Sequence, residues 1–290
     1  MLIFDHIIFY KIGKFLAESI PVKLSYFIAE RIADIYYLFA FQDQKEVAKN
    51  LRVIFPERKE KELRRIRTGL FRNFAKYLVD FFRFEKISQD YIQKKVQVEN
   101  IAYLKEALSA NKGVINVTAH LGNWELGGIA VALMGYPIFG VALPHQDKQV
   151  DEFFNRQREI KGLKVIPLSQ AVSRSLSLLK ENKIVALVAD RDFTQQGICI
   201  DFFNKPTIFP SGPAIFSLRT KAPILPVFLI RKKQDYFVLK FEKPIYPLEG
   251  KDMNDNIRDI IYCYKTIFEE YIKKYPQQWY MFRKFWKEDK

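Results

Sequence analysis

Residues 114–128 read VINVTAHLGNWELGG. The apolar run Val114–Val117 stops at Thr118-Ala119-His120, Leu-Gly-Asn follows, and Trp124-Glu125-Leu126 opens an apolar pattern at helical spacing to about Met134. That pattern predicts a strand, a tight turn and a helix start, with a histidine at the strand's end and a carboxylate in the helix's first turn. In an open α/β sheet, ligands sit beyond the carboxyl ends of strands and beside helix N-termini, so the same stretch predicts a fold class and a site.

The spacing of the pair matters. On one continuous helix His120 and Glu125 would lie about 140° apart and could not face each other. The intervening turn lets Glu125 fold back toward the imidazole. Asn123 is placed to cap the helix, which sets Glu125 near the second helical position, where the dipole favours an ionised carboxylate. A carboxylate against one ring nitrogen fixes the tautomer and leaves the other nitrogen as a general base near neutral pH. The plainer alternative is a buried histidine satisfied by a backbone carbonyl and an ordinary first-turn glutamate. Pairing, glycine turn and strand end together favour a site.

Outward from this stretch, the remaining pattern is alternating α/β. Ile101–Ala110 reads as a helix stopped by Asn111-Lys112-Gly113, Ile138–Leu143 as a strand, and Asp147–Lys161 as a helix carrying Arg156 and Arg158 on different faces. Leu163–Pro167 reads as a strand or turn, Gln170–Glu181 as a helix, and Ile184–Ala189 as an apolar strand buried on both faces, ending in Asp190-Arg191-Asp192. The aromatic stretch Gly197–Phe209 leads to Pro210-Ser211-Gly212-Pro213, where Ser211 is a natural cap and free helix amides suit a phosphate. A strand ending at Arg231 and its antiparallel partner Tyr236–Glu242 precede a long helix, about Asn254–Lys274. His145, after Leu143-Pro144, either enters the cleft or sits in an exposed loop.

Composition narrows the class of partner. Of 290 residues, 49% are hydrophobic, 26 are Phe and 15 Tyr, and 47 basic side chains oppose 33 acidic ones, a net charge of +14 that suits an anionic surface, an acidic carrier or nucleic acid. The basic stretch Gln44–Arg67 has interspersed glutamates and no repeating aromatic platform, which argues against a nucleic-acid arm. Cys199 and Cys263 are too few and too far apart for a zinc site or a disulfide framework, so a reducing compartment is expected. Apolar clusters in the first forty residues are broken by charges and by Pro21, short of the roughly 18–20 residues of a spanning helix. Such helices either lie in a membrane interface or pack as ordinary amphipathic helices. No Gly-x-Ser-x-Gly elbow, P-loop or dinucleotide fingerprint occurs.

The heptapeptide HLGNWEL, with its His-x4-Glu spacing, resembles the bacterial lipid A biosynthesis (late, secondary) acyltransferases of the lysophospholipid-acyltransferase-like superfamily. Further matches keep the family's order: Asn50-Leu51 with Phe55-Pro56-Glu57, the Asp190–Asp192 trio, Phe202–Pro206 with Gly212-Pro213-Ala214, Ala222–Pro226, and Pro276–Phe285. Departures fall at Leu143, where an Arg is usual, at Arg191 for Gln, and at Asn204 and Lys221 for Gly. The resemblance implies a three-layer, glycerolipid-acyltransferase-like α/β core, a mostly parallel sheet flanked by helices, over residues 96–290, ending in a basic, aromatic tail suited to a headgroup interface. Residues 1–95 would form an N-terminal helical segment that associates with the membrane. It also implies a fatty acyl chain passed from an acyl carrier protein thioester to a hydroxyl of a lipid A precursor, for lipopolysaccharide biosynthesis, at the cytoplasmic face of the inner membrane.

In that reading His120 is the base, Glu125 orients it, and backbone amides of Leu121–Asn123 form the oxyanion site. Arg158 pairs with Asp190, and Asn123, Asp192, Phe203, Ser211 and Gly212 complete the substrate site, with Phe202, Phe203, Ile208 and Phe209 lining an acyl tunnel. Neither metal nor organic cofactor is required. Acyl-CoA-dependent transfer to another lipid, such as a phosphatidylinositol mannoside, is the neighbouring alternative; a non-catalytic basic membrane- or nucleic-acid-binding protein is the distant one.

Overall fold

The computed structural model describes residues 7–193, 197–248 and 252–286. Four helices open the chain, α1 (Ile7–Ser19), α2 (Val22–Phe39), α3 (Phe41–Ile54) and α4 (Glu60–Phe82). Pro21 stands immediately before α2, where its missing N–H costs nothing and its fixed φ suits a helix start. A short α5 (Gln89–Lys95), capped by the Ser88 hydroxyl accepting from the Tyr91 amide, leads into β1 (Val96–Glu99) and α6 (Ile101–Ser109). The alternating part follows: β2 (Val114–Thr118), α7 (Trp124–Leu133), β3 (Ile138–Ala142), α8 (Lys148–Glu159), β4 (Leu163–Pro167), α9 (Ala171–Lys180) and β5 (Ile184–Val188). Then come β6 (Ile198–Phe202), β7 (Lys205–Phe209), α10 (Gly212–Thr220), β8 (Ile224–Lys233), β9 (Tyr236–Phe241) and α11 (Met253–Lys274).

The main sheet has the order β1-β9-β8-β2-β5-β3-β4. From β8 to β4 all neighbours are parallel; β9 returns antiparallel to β8, and β1 runs parallel to β9. Period-two alternation divides the core between the two faces. Ile115 and Val117 of β2 and Phe228 and Ile230 of β8 join one apolar cluster with α10, α11 and the tail, whereas Val114, Val227 and Leu229 join the other, with α6 and α7. The mostly parallel sheet flanked by helices is therefore as expected. Leu51, Leu63, Leu70 and Phe71 of α3 and α4 belong to the first of those clusters.

Two strand pairings depart from the sequence reading. β1 is a four-residue strand, and its Val-Gln-Val-Glu alternation is too short to stand out beside α5 and α6. Residues 198–209, an aromatic stretch to which the sequence reading assigns no strand, form the β6–β7 hairpin. Phe202 pairs with Lys205 across Phe203 and Asn204, whose φ angles of 53° and 58° make a two-residue turn of the type that matches strand twist. Asparagine tolerates that left-handed conformation better than most residues, so Asn204 can do here what the family's glycine does.

The tail also differs. Trp279, Tyr280 and Met281 are buried in the core rather than displayed toward a headgroup layer. They are held by the first family-like motif: the Asn50 side-chain amide donates to the Met281 and Arg283 carbonyls, and its oxygen accepts from the Phe285 amide. What stays exposed and apolar is a face of α1 and α2 continuing into α3, including Phe15, Phe27, Ile32, Leu38, Phe39 and Phe41. Among the described residues no helix is long and apolar enough to cross a membrane.

Candidate active site

β2 ends at Thr118, and residues 119–123 turn the chain into α7. The turn is fixed from outside by its neighbours. The Gly122 amide donates to the Gln278 carbonyl (2.9 Å), the Asn123 amide to the Leu229 carbonyl (2.8 Å), and the Tyr280 amide to the His120 carbonyl (2.8 Å). Gly122 has φ +69°, and a Cβ there would lie 2.1 Å from the Leu229 carbonyl oxygen, so only glycine fits. The Leu121 amide donates back to Ala119 (2.6 Å). All three amides of Leu121–Asn123 are thus already bonded within the protein, which removes them as the expected oxyanion donors. Trp124 and Glu125 open α7, where amides have no intrahelical acceptor.

The imidazole's partner is Asp190, not Glu125. His120 Nδ1 lies 2.6 Å from Asp190 Oδ1, while Asp190 Oδ2 accepts from the His120 amide (3.0 Å) and from the Trp279 indole N–H (3.1 Å). The register explains the match. Thr118 of β2 faces Val188 of the adjacent parallel β5, so His120 and Asp190 each stand two residues past a paired position. Burial by itself would push the Asp190 carboxyl up; the attraction of His120 and the donated hydrogen bonds more than offset it and hold the carboxyl below its ordinary range.

Glu125 instead takes Arg158. The guanidinium Nε lies 3.1 and 3.0 Å from the two carboxylate oxygens, and Nη2 lies 2.7 Å from Oε1, a bidentate pair joining α7 to α8. Burial works against the Arg158 charge, and Glu125 outweighs it, raising the guanidinium's pKa. The expected Arg158–Asp190 and Glu125–His120 pairings are therefore exchanged. Arg156 is exposed, so one arginine of α8 reaches the site, as the spacing on the helix requires.

These groups border a cavity of about 650 Å³, roomy enough for an extended apolar ligand. His120, Trp124, Glu125 and Arg158 form one side; Val141, Leu168, Val172, Leu187 and Phe216 supply much of the apolar wall; Asp192, Ser211 and Gly212 also line it. The half-buried carboxyl-terminal part of β5, read as fully buried, is half-buried because it opens here.

Asn123 and Phe203 do not reach the cavity. Asn123 is the cap of α7, its side-chain oxygen accepting from the Leu126 amide (3.0 Å). Phe203 sits in the hairpin turn against Phe202 and Trp286, its amide donating to Glu269 (2.7 Å). Phe202 and Phe209 are fully buried in the core and Ile208 is exposed, so the apolar wall is not the aromatic run expected from sequence. His145 does border the cavity, its ring 4.3 Å from that of Phe154. Burial and the Arg158 charge hold its imidazole below the usual histidine range.

Sequence reasoning missed two features. Trp279 supports Asp190, and its signal was available only as an aromatic in the family-like tail. Behind the turn, Asp80 of α4 and Arg231 of β8 form a buried pair, joined by the Tyr26 hydroxyl, which donates to Asp80, and by the Asn123 amide group, which donates to Asp80 Oδ2 (2.8 Å). The available signal was a lone aspartate inside the apolar run Tyr77–Phe82.

Comparison with known proteins places this architecture. A phosphatidylinositol mannoside acyltransferase of Mycolicibacterium smegmatis is 27% identical over 218 residues, covering 74% of this chain and 70% of that protein. The lipid A biosynthesis palmitoleoyltransferase of Escherichia coli is 24% identical over 269 residues, covering 92% and 86%. A lipid A biosynthesis acyltransferase of Haemophilus influenzae is 20% identical over 231 residues, covering 79% and 71%. The profile of the bacterial lipid A biosynthesis acyltransferases matches residues 3–288, from the first helix through the tail, and the chain belongs to that family of acyltransferases.

Proposed function

We propose that the protein moves a fatty acyl chain from an acyl carrier protein thioester to a hydroxyl of a lipid A precursor, with His120 as general base and Asp190 as the group that orients it. The observation that carries this is the 2.6 Å contact between His120 Nδ1 and Asp190 beside an apolar cavity. With Nδ1–H donated to Asp190, the lone pair of Nε2 is left for the cavity. That nitrogen takes the proton of the acceptor hydroxyl as its oxygen attacks the thioester carbonyl. Collapse of the tetrahedral adduct expels the thiolate, which recovers the proton from Nε2–H. The open amides of Trp124 and Glu125 receive the carbonyl oxygen. Glu125 and Arg158 hold α7 against α8 and keep that wall of the cavity in place. Transfer is direct, with the acceptor oxygen itself as the nucleophile that His120 activates.

The acyl carrier protein and the lipid acceptor are the partners, nucleic acid is not, and the apolar face of α1 and α2 lies on the membrane, at the cytoplasmic side of the inner membrane. Support comes from that exposed face, the net charge of +14 and the lipid that the family's description names. The name of the mycobacterial relative favours a second acceptor, a phosphatidylinositol mannoside, and acyl-CoA is the alternative donor. Mass spectrometry of products formed by the purified protein in detergent, with both donors against both acceptors, tests the reading. Added acyl mass on the lipid A precursor, absent with His120→Ala, is the expected result. Mass on the mannoside alone keeps the chemistry and changes the acceptor; no product from folded protein with any pair overturns the reading.

A further inference from the structure

Of the three arginines bordering the cavity, Arg158 alone is matched by a carboxylate. Arg191 follows Asp190 at the end of β5 and lies half-buried, its guanidinium 4.8 Å from the centre of the Phe193 ring. Arg219 stands on the face of α10 that also presents Gly212, Ile215 and Phe216 to the cavity, about two turns from the Ser211 end. Neither has a hydrogen bond or ion pair to a carboxylate among the described residues. Asp190, the nearest acidic group by its effect on Arg191, is committed to His120 and Trp279. Asp192, also on the wall, accepts from the Gly197 amide. Arg283 of the tail adds positive field at Arg191 instead of offsetting it.

Holding the Arg191 guanidinium half out of water, close to another cation and with its neighbouring carboxylate bonded elsewhere, is unfavourable unless an anion completes the site; Arg219 is exposed and adds a second cation on the same wall. Guanidinium groups suit a phosphate in particular, because their fixed donors can engage two oxygens at once. The placement also fits the reaction, since Arg191 is the residue after the carboxylate that holds His120. A phosphate caught there is tethered beside the base, and its binding energy orients the reacting hydroxyl.

We infer that Arg191 and Arg219 form a phosphate-binding site on the cavity wall, which selects a phosphate-bearing substrate and fixes it next to His120. The inference rests on the acyltransfer reading for its role in the reaction, though the binding itself is independent of turnover. Phosphate can arrive on the headgroup of the lipid acceptor or on the carrier arm of the thioester donor, and the two sources separate kinetically.

The test compares wild type, Arg191→Gln and Arg191→Lys, each checked for an unchanged unfolding transition. Initial rates are measured with a monophosphorylated glycolipid acceptor and with the same lipid after phosphatase treatment, at varied donor. If the acceptor supplies the phosphate, Arg191→Gln lowers the preference for the phosphorylated lipid by about tenfold or more, through KM, and Arg191→Lys restores part of it. A raised KM for the donor with both acceptors instead assigns the phosphate to the carrier arm. Unchanged preference and unchanged donor KM overturn the inference. Binding of both lipids in mixed micelles, followed by calorimetry, is the second readout. Arg191-dependent binding of the phosphorylated lipid by a protein that turns nothing over would sustain the site and sink the reaction; equal binding of both lipids by wild type, with no Arg191-dependent change in donor KM, overturns the site.

Discussion

Two aspartates of this molecule are buried to the same degree, and they do opposite things. Asp190 is fully buried and Asp80 nearly so, and each is enclosed by hydrogen-bond donors from several elements. Asp190 faces a histidine whose second nitrogen is left for a cavity; Asp80 faces Arg231, which holds its protons at any accessible pH and is turned inward against the Tyr26 and Phe237 rings. In the proposed reaction the first carboxylate tunes a base. The second ties α2, α4, β8 and the cap of α7 together through Tyr26, Arg231 and Asn123, and its energy goes into holding the turn that the first one uses. Burial of charge therefore does not mark a site; a titratable partner open to a cavity does.

The comparison breaks most visibly on the active side. His120→Ala is expected to lower transfer by about 10³-fold or more and to lower the unfolding midpoint without unfolding the protein, because Asp190 loses the imidazole but keeps the residue-120 amide and the Trp279 indole as donors, read by single-turnover kinetics and thermal denaturation. Asp190→Asn is expected to cost about 10²–10⁴-fold, because an amide can hold the wrong tautomer. It also carries a pH signature. The folded carboxyl titrates below its unfolded value of about 3.9, so its stabilisation is fully present above that pH and is lost as pH falls through the folded value. The variant should show a flatter acid limb below about pH 4. A variant with the wild-type limb would mean that Asp190 is not held as a carboxylate.

On the structural side the effect falls on stability. Asp80→Ala leaves the Arg231 charge buried and unpaired and is expected to destabilise the fold by about 3–5 kcal/mol, measured by urea unfolding. Replacing both members with apolar residues of similar size should recover much of that loss, which removal of packing alone would not. Next in size is Gly122→Ala, which touches both regions. Its methyl would meet the Leu229 carbonyl, so the turn must shift; a stability loss of about 1–3 kcal/mol with a disproportionate loss of kcat is expected. A loss of stability with kcat intact would show that the turn is structural alone.

The same contrast explains what could be read in advance. His120, Asp190 and the cap Asn123 were legible because strand ends and helix starts leave local signals. Their pairing was not, because the order of parallel strands is not written locally. Once β2 and β5 are known to be neighbours, residues 120 and 190 fall into line, and Glu125 is freed for Arg158. The amides of Gly122 and Asn123 looked open because their acceptors, Gln278 and Leu229, come from the tail and a strand more than a hundred residues away. The β6–β7 hairpin was hidden by its turn, which places a phenylalanine where glycine or asparagine is usual.

His145 gives the smallest effect and tests whether bordering the cavity is enough to matter. Burial and Arg158 depress its pKa, although Asp151 and Glu125 pull the other way. Its ring rests on Phe154 of α8, the helix that also carries Arg158. A histidine depressed in the folded state binds fewer protons there than in the unfolded chain. Stability therefore rises with pH between the folded value and about 6.5, and the slope vanishes outside that window. Urea unfolding of wild type and His145→Gln at pH 5.5 and pH 7.5 should show a slightly smaller pH dependence in the variant, small because the residue is partly exposed and screened. Acyl transfer should survive, since Nδ1 of His120, not of His145, is held by a buried carboxylate. Loss of transfer in His145→Gln equal to that in His120→Ala would put a second histidine into the proton path and undo the contrast between a group that is oriented and one that is merely adjacent.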